Sequence, residues 1–252
     1  MDRLKILDSV GLDPDDNLLI RGEASRTLAA LECHQNYASR LVGQVKLAYL
    51  DPPYNTGHIN KHYRDKVDPY TWNTSLKDTL AAVQRFLADD GSAWLQLNDS
   101  EQHRARLVLD EVFGADNFVA TIIWVRTQMR RLGRKPFAAR HDYIHVYRKT
   151  EAFDLVGGCG EPVETVWSSD DSGTNEQASL DSKQLFGGQF ATPKPERLLK
   201  RIIDLCTRPG DVVLDSYAGS GTTPATAHKL GRRWIAIEKE LDTVNVFSRR
   251  FW

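Results

Sequence analysis

One segment, residues 211–240, limits the folds open to this chain more than any other. Its sequence, DVVLDSYAGSGTTPATAHKLGRRWIAIEKE, predicts a strand, a glycine-containing turn, a helix and a second strand. This order is typical of a parallel sheet covered by helices. Gly219 and Gly221 would let the backbone pass close to a ligand, and Glu238 could accept hydrogen bonds from ribose hydroxyls. The segment therefore predicts a nucleoside-cofactor site.

The turn differs from two better-known glycine motifs. It lacks the third glycine of the dinucleotide fingerprint and the lysine of a phosphate-binding loop, so it does not predict phosphate binding. The alternative interpretation is a tight turn in which small residues serve only for packing.

A second motif, DPPYNTG, spans Asp51 to Gly57 directly after the apolar run VKLAYL. An exocyclic base amine is a poor nucleophile, because its lone pair is delocalised into the ring. Its reaction needs acceptors for the hydrogens of the amine and a fixed line of approach to the methyl donor. Asp51 and the carbonyl of Pro52 could supply the acceptors, Tyr54 could stack on a base flipped out of a duplex, and Pro53 would help stiffen the loop. The alternative, a rigid turn after a strand, explains only the prolines.

The rest of the chain alternates strand-like and helix-like stretches, which predicts a single α/β domain. Seven strands are expected within NLLIRG, VKLAYLD, SAWLQLN, NFVATIIWV, HDYIHVYRK, DVVLD and RRWIAIEKE. Helices are expected after Ser25, in SLKDTLAAVQRFLADDG up to about Gly91, in SEQHRARLVLDEVFG and in PERLLKRIIDLCT. The single domain, 1–252, would comprise a half with DPPYNTG (17–149), an irregular insertion (150–190) and a half with the glycine turn (191–252).

Composition narrows the functional classes only slightly. The formal net charge is −1, which gives no sign of a nucleic-acid partner. The three cysteines, Cys33, Cys159 and Cys206, form no CxxC pair, so we expect reduced, structural thiols. There is no apolar run of membrane-spanning length and no signal-peptide pattern, and we expect a soluble, cytoplasmic protein without a membrane partner.

Positive charge is concentrated in two segments, which are candidates for DNA contact. The first spans 126–140 and contains no acidic residue, and the second follows Gly57. Segment 150–182, by contrast, contains no lysine or arginine. A solvated surface is the alternative to phosphate contact. The candidate DNA-binding residues are Arg126, Arg130, Arg131, Arg134, Lys135, Arg140, Lys61 and Arg64.

Together these motifs resemble the β class of amino-methyltransferases, which includes type III modification subunits and solitary adenine methyltransferases. In that family the DPPY block precedes the glycine motif, as here. The blocks TWNTSLKDTLAAVQRFLADDGSAWLQLND, HDYIHVYRK and FATPKPERLLKRII stand in the expected order. The resemblance implies a circularly permuted Rossmann-like methyltransferase fold, with a mostly parallel, twisted sheet of about seven strands and helices on both faces.

The resemblance also implies an activity and its residues. S-adenosylmethionine would be the cofactor, and a base flipped from double-stranded DNA the substrate. The catalytic residues would be Asp51, Pro52, Pro53 and Tyr54. Tyr217 stands where the family usually has phenylalanine, and we expect no functional change from its hydroxyl. The cofactor residues would be Asp215, Tyr217, Gly219, Gly221, Thr222, Thr223, Glu238, Lys194, Pro195 and Glu23.

Several alternatives stay open at this point. Within the family DPPY is commoner with adenine and SPPY with cytosine, so Asp51 favours N6 of adenine over N4 of cytosine. RNA as substrate and a catalytically silent DNA-binding subunit are further alternatives. A homodimer and a restriction or specificity partner are both compatible with the resemblance.

Two histidine pairs have the spacing of a helical zinc site, His58 with His62 and His141 with His145. The second pair falls in a strand-like segment, where residues four apart do not converge. The first pair falls in the loop after DPPYNTG. We therefore predict no metal and expect these histidines at the surface or facing DNA.

Overall fold

The computed structural model describes residues 5–9, 17–57, 66–129, 137–156, 162–186 and 193–240. The strands are β1 (Lys5–Ser9), β2 (Leu18–Arg21), β3 (Val45–Leu50), β4 (Leu87–Leu97), β5 (Phe118–Val125), β6 (His141–Arg148), β7 (Val166–Trp167), β8 (Val212–Asp215) and β9 (Arg233–Glu238). The helices are α1 (Ala24–Glu32), α2 (Ala38–Leu41), α3 (Pro69–Phe86), α4 (Gln102–Phe113), α5 (Ser169–Ser172), α6 (Asn175–Phe186), α7 (Glu196–Cys206) and α8 (Thr222–Lys229), with a 3-10 turn at Ala115–Asn117.

These strands form one sheet in the order β1-β2-β9-β8-β3-β4-β6-β5-β7. The neighbours from β2 to β4 all pair in parallel, as do β5 and β7. The pairs β1–β2, β4–β6 and β5–β6 are antiparallel. The prediction of a mostly parallel α/β sheet is confirmed.

The order of strands reverses between β8 and β3. From β8 the chain continues outward to β9, whereas from β3 it continues in the opposite direction to β4. In open α/β sheets ligands bind beyond the carboxyl ends of the strands at such a reversal. We therefore expect the ligand site among the residues that follow β3 and β8.

Helices cover both faces of the sheet, because its central strands are apolar on both sides. On one face α1, α3 and α4 pack on β3 through side chains such as Leu28, Leu80 and Leu109. On the other face α7 and α8 pack on the same strands. The predicted apolar stripe of α7 is confirmed, since its members are all buried: Leu198, Leu199, Ile202, Ile203 and Cys206.

All seven predicted strands are present, and two further strands extend the sheet. One is β1, which pairs with β2, and the other is the short β7, which pairs with β5. Both lie at the edges of the sheet. Neither has an apolar run long enough to stand out in the sequence.

Two predicted helix boundaries are wrong. Glu23, not Ser25, caps α1, and its carboxylate accepts hydrogen bonds from the backbone amides of Ser25 and Arg26. Helix α3 ends at Phe86 rather than near Gly91, because Leu87 already pairs with Val45 of β3. None of the helices in the described ranges is long and apolar enough to cross a membrane.

The prediction that segment 150–190 is irregular is also wrong within its described part. It contains β7, α5 and the twelve-residue α6. Trp167 of β7 is fully buried, stacks beside Trp94 at 6.1 Å between ring centroids, and receives the guanidinium of Arg201 at 4.3 Å from its ring. Packing on the sheet therefore orders a segment whose sequence shows no clear period.

Candidate active site

The two sequence motifs meet at the reversal of strand order. Strand β8 ends at Asp215, which pairs with Tyr49 of β3, and Asp51 follows two residues later. Because the two strands are parallel, both carboxyl groups lie at the same edge of the sheet. The structure therefore brings together residues that stand 164 positions apart, taking 215 minus 51.

Both carboxylate oxygens of Asp51 have partners in this arrangement. The Tyr54 hydroxyl donates to Oδ1 at 2.7 Å, and the Lys194 ammonium pairs with Oδ2. Lys194 also lies 5.4 Å from the centroid of the Tyr54 ring. Burial, together with the charge of Asp51, raises the pKa of Tyr54 well above its usual value, so the hydroxyl stays protonated and acts as a donor.

The DPPYNTG loop is held from two sides. The indole nitrogen of Trp72, at the start of α3, donates to the Pro53 carbonyl at 3.0 Å. On the other side Asn55 has a left-handed backbone, with φ of 54°, and its side chain donates to Glu101 at 2.7 Å. Glu101 is buried before α4. The loop is thus anchored by two helices, a role for Asn55 that the sequence analysis missed.

The glycine turn has the conformation that its residues allow. Gly219 and Gly221 adopt positive φ angles of 49° and 75°, and α8 begins at the next residue. The Gly219 amide donates to Glu238 Oε2 at 2.8 Å, which ties the turn to the end of β9. Burial raises the pKa of Glu238, and backbone hydrogen bonds to its carboxylate oppose that rise.

Asp215 is a buried carboxylate at the base of this turn. Its side chain is 3% exposed and accepts a hydrogen bond from the Tyr217 amide at 3.0 Å. Burial raises its pKa to about 7, despite hydrogen bonds from Thr223 and Tyr217 that oppose the rise. A neighbouring cation would recover the free energy lost by burying this carboxylate. The group is therefore suited to bind a positively charged ligand.

The other predicted cofactor residues lie around the same edge. Thr222 and Thr223 are buried in the first turn of α8, and Pro195 caps α7 beside Lys194. Glu23 follows β2, which pairs with β9, and the amide of its neighbour Gly22 donates to the Glu238 carbonyl at 3.0 Å. A cleft of about 530 Å³ opens there, lined in part by Glu23, Arg26, Asp78 and Lys239.

Tyr217 makes a contact that phenylalanine could not make. Its hydroxyl donates to the buried Thr79 hydroxyl at 3.2 Å, and burial raises its pKa to about 12. We expect Tyr217→Phe to lower the free energy of unfolding by about 1 kcal/mol, the usual value of one hydrogen bond. Urea denaturation measures this change, and an unaltered midpoint would show that the bond contributes nothing.

The predicted DNA-binding residues are only partly within the described ranges. Arg130, Arg131, Arg134, Lys135, Lys61 and Arg64 lie outside them. Arg140 donates to the Thr127 carbonyl at 3.2 Å. The Arg126 guanidinium pairs with the buried Asp142 at 2.9 Å, which favours a structural role over the predicted phosphate contact.

A buried polar chain beneath the DPPYNTG loop escaped the sequence analysis. The Tyr49 hydroxyl donates to Gln96 at 2.6 Å, and the Gln96 amide donates to Asp142 at 3.1 Å. These three side chains are each at most 2% exposed. The sequence signal that could have revealed this chain is the presence of polar residues within strongly apolar strands.

The histidines differ from expectation at one position. His58 and His62 lie outside the described residues. His145, expected at the surface, is buried on β6 between Thr121 and the Gln102 carbonyl, and burial lowers its pKa to about 4. It is therefore a neutral core residue. The described residues contain no group of three or more metal-binding side chains.

Comparison with known proteins identifies the family. The DNA methylase family model matches residues 45–249, most of the chain and both motifs. This chain belongs to the N6/N4 DNA methylase family. The probable type III restriction-modification enzyme HindVI Mod subunit of Haemophilus influenzae is 25% identical over 371 residues, which cover 90% of this chain and 49% of that protein. The chain spans about half the length of several curated relatives that it matches.

Solved structures share the methylase fold. The cytosine-N4-specific PvuII DNA methyltransferase matches with a TM-score of 0.71 at 18% identity, over 94% of this chain and 87% of that one. The M1.HpyAVI-SAM complex matches with a TM-score of 0.67 at 19% identity, over 92% and 98%. At these identities the likeness establishes the fold of the methylase and not its choice of base.

Proposed function

We propose that this methylase transfers the methyl group of S-adenosylmethionine to the exocyclic N6 amine of adenine in double-stranded DNA. The observation that carries the proposal is the position of Asp51 and Asp215 at the ends of adjacent parallel strands, where the strand order reverses. A donor held at β8 and an acceptor base held after β3 would then meet at one edge.

The residues around the glycine turn fit this cofactor. Asp215 offers a buried negative charge to the ammonium of its methionine end, and Glu238 offers acceptors to its ribose hydroxyls. The relative M1.HpyAVI was solved as a SAM complex with the same fold. When bound, S-adenosylmethionine supplies an electrophilic methyl group. The adjacent cleft beside Glu23 and Lys239 offers room for the remainder of a nucleoside.

The DPPYNTG loop supplies what the amine requires. Asp51 and the Pro52 carbonyl accept its two hydrogens, which fixes its orientation and raises electron density on its nitrogen. Tyr54, held by its hydrogen bond to Asp51, presents its ring to a base flipped from the duplex. Trp72 and Asn55 keep the loop in place before the base arrives. The chain thus performs catalysis by positioning and electrostatics.

Asp51 favours adenine, because in the resembling family DPPY accompanies adenine more often than cytosine. N4 of cytosine is the second candidate, supported by the shared fold of the cytosine-N4-specific PvuII enzyme. Arg140 and the basic residues flanking it would contact phosphate, and the Mod subunit relative suggests a restriction partner. Besides methylation of adenine N6 or cytosine N4 in DNA, the alternatives are RNA as the substrate and a catalytically silent DNA-binding subunit.

Nucleoside analysis of the product tests the choice of base. The protein is incubated with tritiated S-adenosylmethionine and long unmethylated duplex DNA, and the DNA is then digested to nucleosides. We expect the label in N6-methyldeoxyadenosine. Label in N4-methyldeoxycytidine would show that the base is cytosine and that the protein is still a DNA methyltransferase. Transfer of label to RNA but not to DNA would contradict the proposal that DNA is the substrate.

A further inference from the structure

Glu101 is a buried carboxylate that lies outside both sequence motifs. It follows β4, the parallel neighbour of β3, so it lies at the same edge of the sheet as Asp51. It is 4% exposed and stands at the N-cap of α4, but its side chain accepts no hydrogen bond from the first amides of that helix. Burying a carboxylate costs free energy unless its partners compensate, so the partners of Glu101 indicate its role.

Two side chains share the Glu101 carboxylate. Asn55 Nδ2 donates to Oε1 at 2.7 Å, and Arg104, in the first turn of α4, pairs with Oε2 at 2.8 Å. Asn55 directly follows the DPPY residues of the DPPYNTG loop. One carboxylate oxygen therefore bonds to the DPPYNTG loop while the other bonds within α4. Through these two bonds Glu101 connects the start of α4 to the DPPYNTG loop.

A further hydrogen bond fixes the direction of the Asn55 side chain. The Val67 amide, shortly before α3 begins, donates to Asn55 Oδ1 at 2.9 Å. A backbone amide can only donate and a carboxylate can only accept, so one orientation of the Asn55 amide satisfies both partners. Asn55 also has a left-handed backbone, with φ of 54°, which a residue other than glycine adopts only at a cost in free energy. The contacts with Glu101 and Val67 therefore hold Asn55 in a conformation that it does not favour by itself.

The conformation of Asn55 bears directly on Tyr54, because the two residues are consecutive. The Tyr54 hydroxyl donates to Asp51 Oδ1 at 2.7 Å. A change in the backbone at Asn55 would move the Tyr54 ring, break this bond and shift a base stacked on the ring. A misplacement of about 1 Å between reacting groups can lower a rate about 100-fold. The contacts of Asn55 thus have consequences for the reaction as well as for the fold.

We propose that Glu101 and Asn55 form a positioning pair that holds the Tyr54 ring where the target base stacks. The inference rests on the proposed methyl transfer. Glu101 acts through Asn55 and contacts neither the base nor the cofactor. The Trp72 indole holds the Pro53 carbonyl from the side of α3, whereas this pair holds the loop from the side of α4. Because the pair consists of one donor and one acceptor, the two roles can be exchanged experimentally.

Asn55→Asp breaks the pair with the smallest change of shape. Aspartate tolerates the left-handed backbone and can still accept from the Val67 amide, but it sets a second carboxylate against Glu101. We expect the single-turnover rate constant at saturating cofactor and DNA to fall at least about tenfold, with the affinity for S-adenosylmethionine within about twofold of wild type. A smaller fall in the rate constant would overturn the proposal.

Exchange of donor and acceptor should restore the rate. When Asn55→Asp is combined with Glu101→Gln, the glutamine amide donates to the aspartate, so the hydrogen bond forms in the opposite direction. We expect this double variant to return to within about threefold of wild type. Glu101→Gln alone should also stay within about threefold, because its amide oxygen still accepts from Asn55. A larger loss in either of these two proteins would overturn the pairing.

The first-order rate constant separates positioning from folding. Loss of folded protein lowers the amplitude of a single turnover but not its rate constant, so a purely structural role would leave that constant unchanged. Asn117→Asp is the matched control. Asn117 also joins two elements, since it donates to the Phe113 carbonyl at 2.8 Å and accepts from Arg148 at 3.3 Å, but it lies at the opposite edge of the sheet. It should keep the wild-type rate constant.

Asn55→Gly decides the matter if Asn55→Asp does not fold. Glycine adopts a positive φ without strain and removes both side-chain hydrogen bonds. We expect a rate constant at least about fivefold lower, with unchanged affinity for S-adenosylmethionine. A smaller loss would then overturn the proposal. Absence of transfer by the folded wild-type protein would instead refute the proposed function, so the two failures are distinguishable.

Discussion

Asp51→Asn should lower the rate of methyl transfer at least about 100-fold, the usual effect of removing one preorganised electrostatic group from an active site. Asparagine keeps an acceptor oxygen but loses the negative charge that, in our proposal, polarises the amine. It also loses the ion pair with Lys194, while its remaining oxygen can still accept from the Tyr54 hydroxyl. Single-turnover transfer of a tritiated methyl group to duplex DNA measures the rate.

The affinity for S-adenosylmethionine should stay within about threefold of wild type, because the proposed role of Asp51 is to contact the base and not the cofactor. Asp89→Asn is a matched control. Asp89 also pairs with a lysine, Lys149 at 3.3 Å, but near the start of β4 at the opposite edge of the sheet. It should retain full activity. An active Asp51→Asn variant would show that the carboxylate does not orient the amine.

Affinity for S-adenosylmethionine should fall more than about tenfold when the pH is lowered from 7.0 to 5.5. The pKa of Asp215 is raised to about 7 by burial, so below that pH the carboxylate is increasingly protonated in the free protein. A cationic ligand favours the ionised form and must displace this proton. Binding therefore weakens as the pH falls through 7, and the raised pKa of Glu238 acts in the same direction.

Isothermal titration calorimetry in two buffers of different ionisation enthalpy measures both affinity and proton release. Asp215→Asn should bind more weakly at pH 7.0 and lose most of the pH dependence, because the titrating group is absent. A wild-type affinity that is flat between pH 5.5 and 7.0 would contradict the assignment of Asp215 to the cofactor's ammonium.

Sequence patterns predicted the centre of the fold well and its periphery poorly. The seven central strands are apolar runs bounded by turn residues, so their local signal is strong. Helix α6 has no such signal, because the side chains that it buries include Ala178 and Ser182, which are small or polar. The end of α3 is likewise set by pairing of Leu87 with Val45, a tertiary contact that no local pattern encodes.

The same distinction holds for the site. DPPYNTG and the glycine turn are contiguous motifs whose chemistry can be inferred residue by residue. The contact between Lys194 and Asp51 spans 143 positions, and that between Gln96 and Asp142 spans 46. Strand order creates these contacts, so a single sequence gives no direct sign of them. Arg126 illustrates the consequence, since its charge suggested DNA but is paired with buried Asp142.

The central claim is that the carboxyl edge at β3 and β8 is one methyl-transfer site. The most direct test is incorporation of a labelled methyl group from S-adenosylmethionine into duplex DNA by the wild-type protein and by Asp51→Asn in parallel. The account predicts incorporation into adenine by the wild type and at least about 100-fold less by the variant at equal cofactor occupancy. Equal incorporation by both proteins, or none by a folded, cofactor-bound wild type, would contradict it.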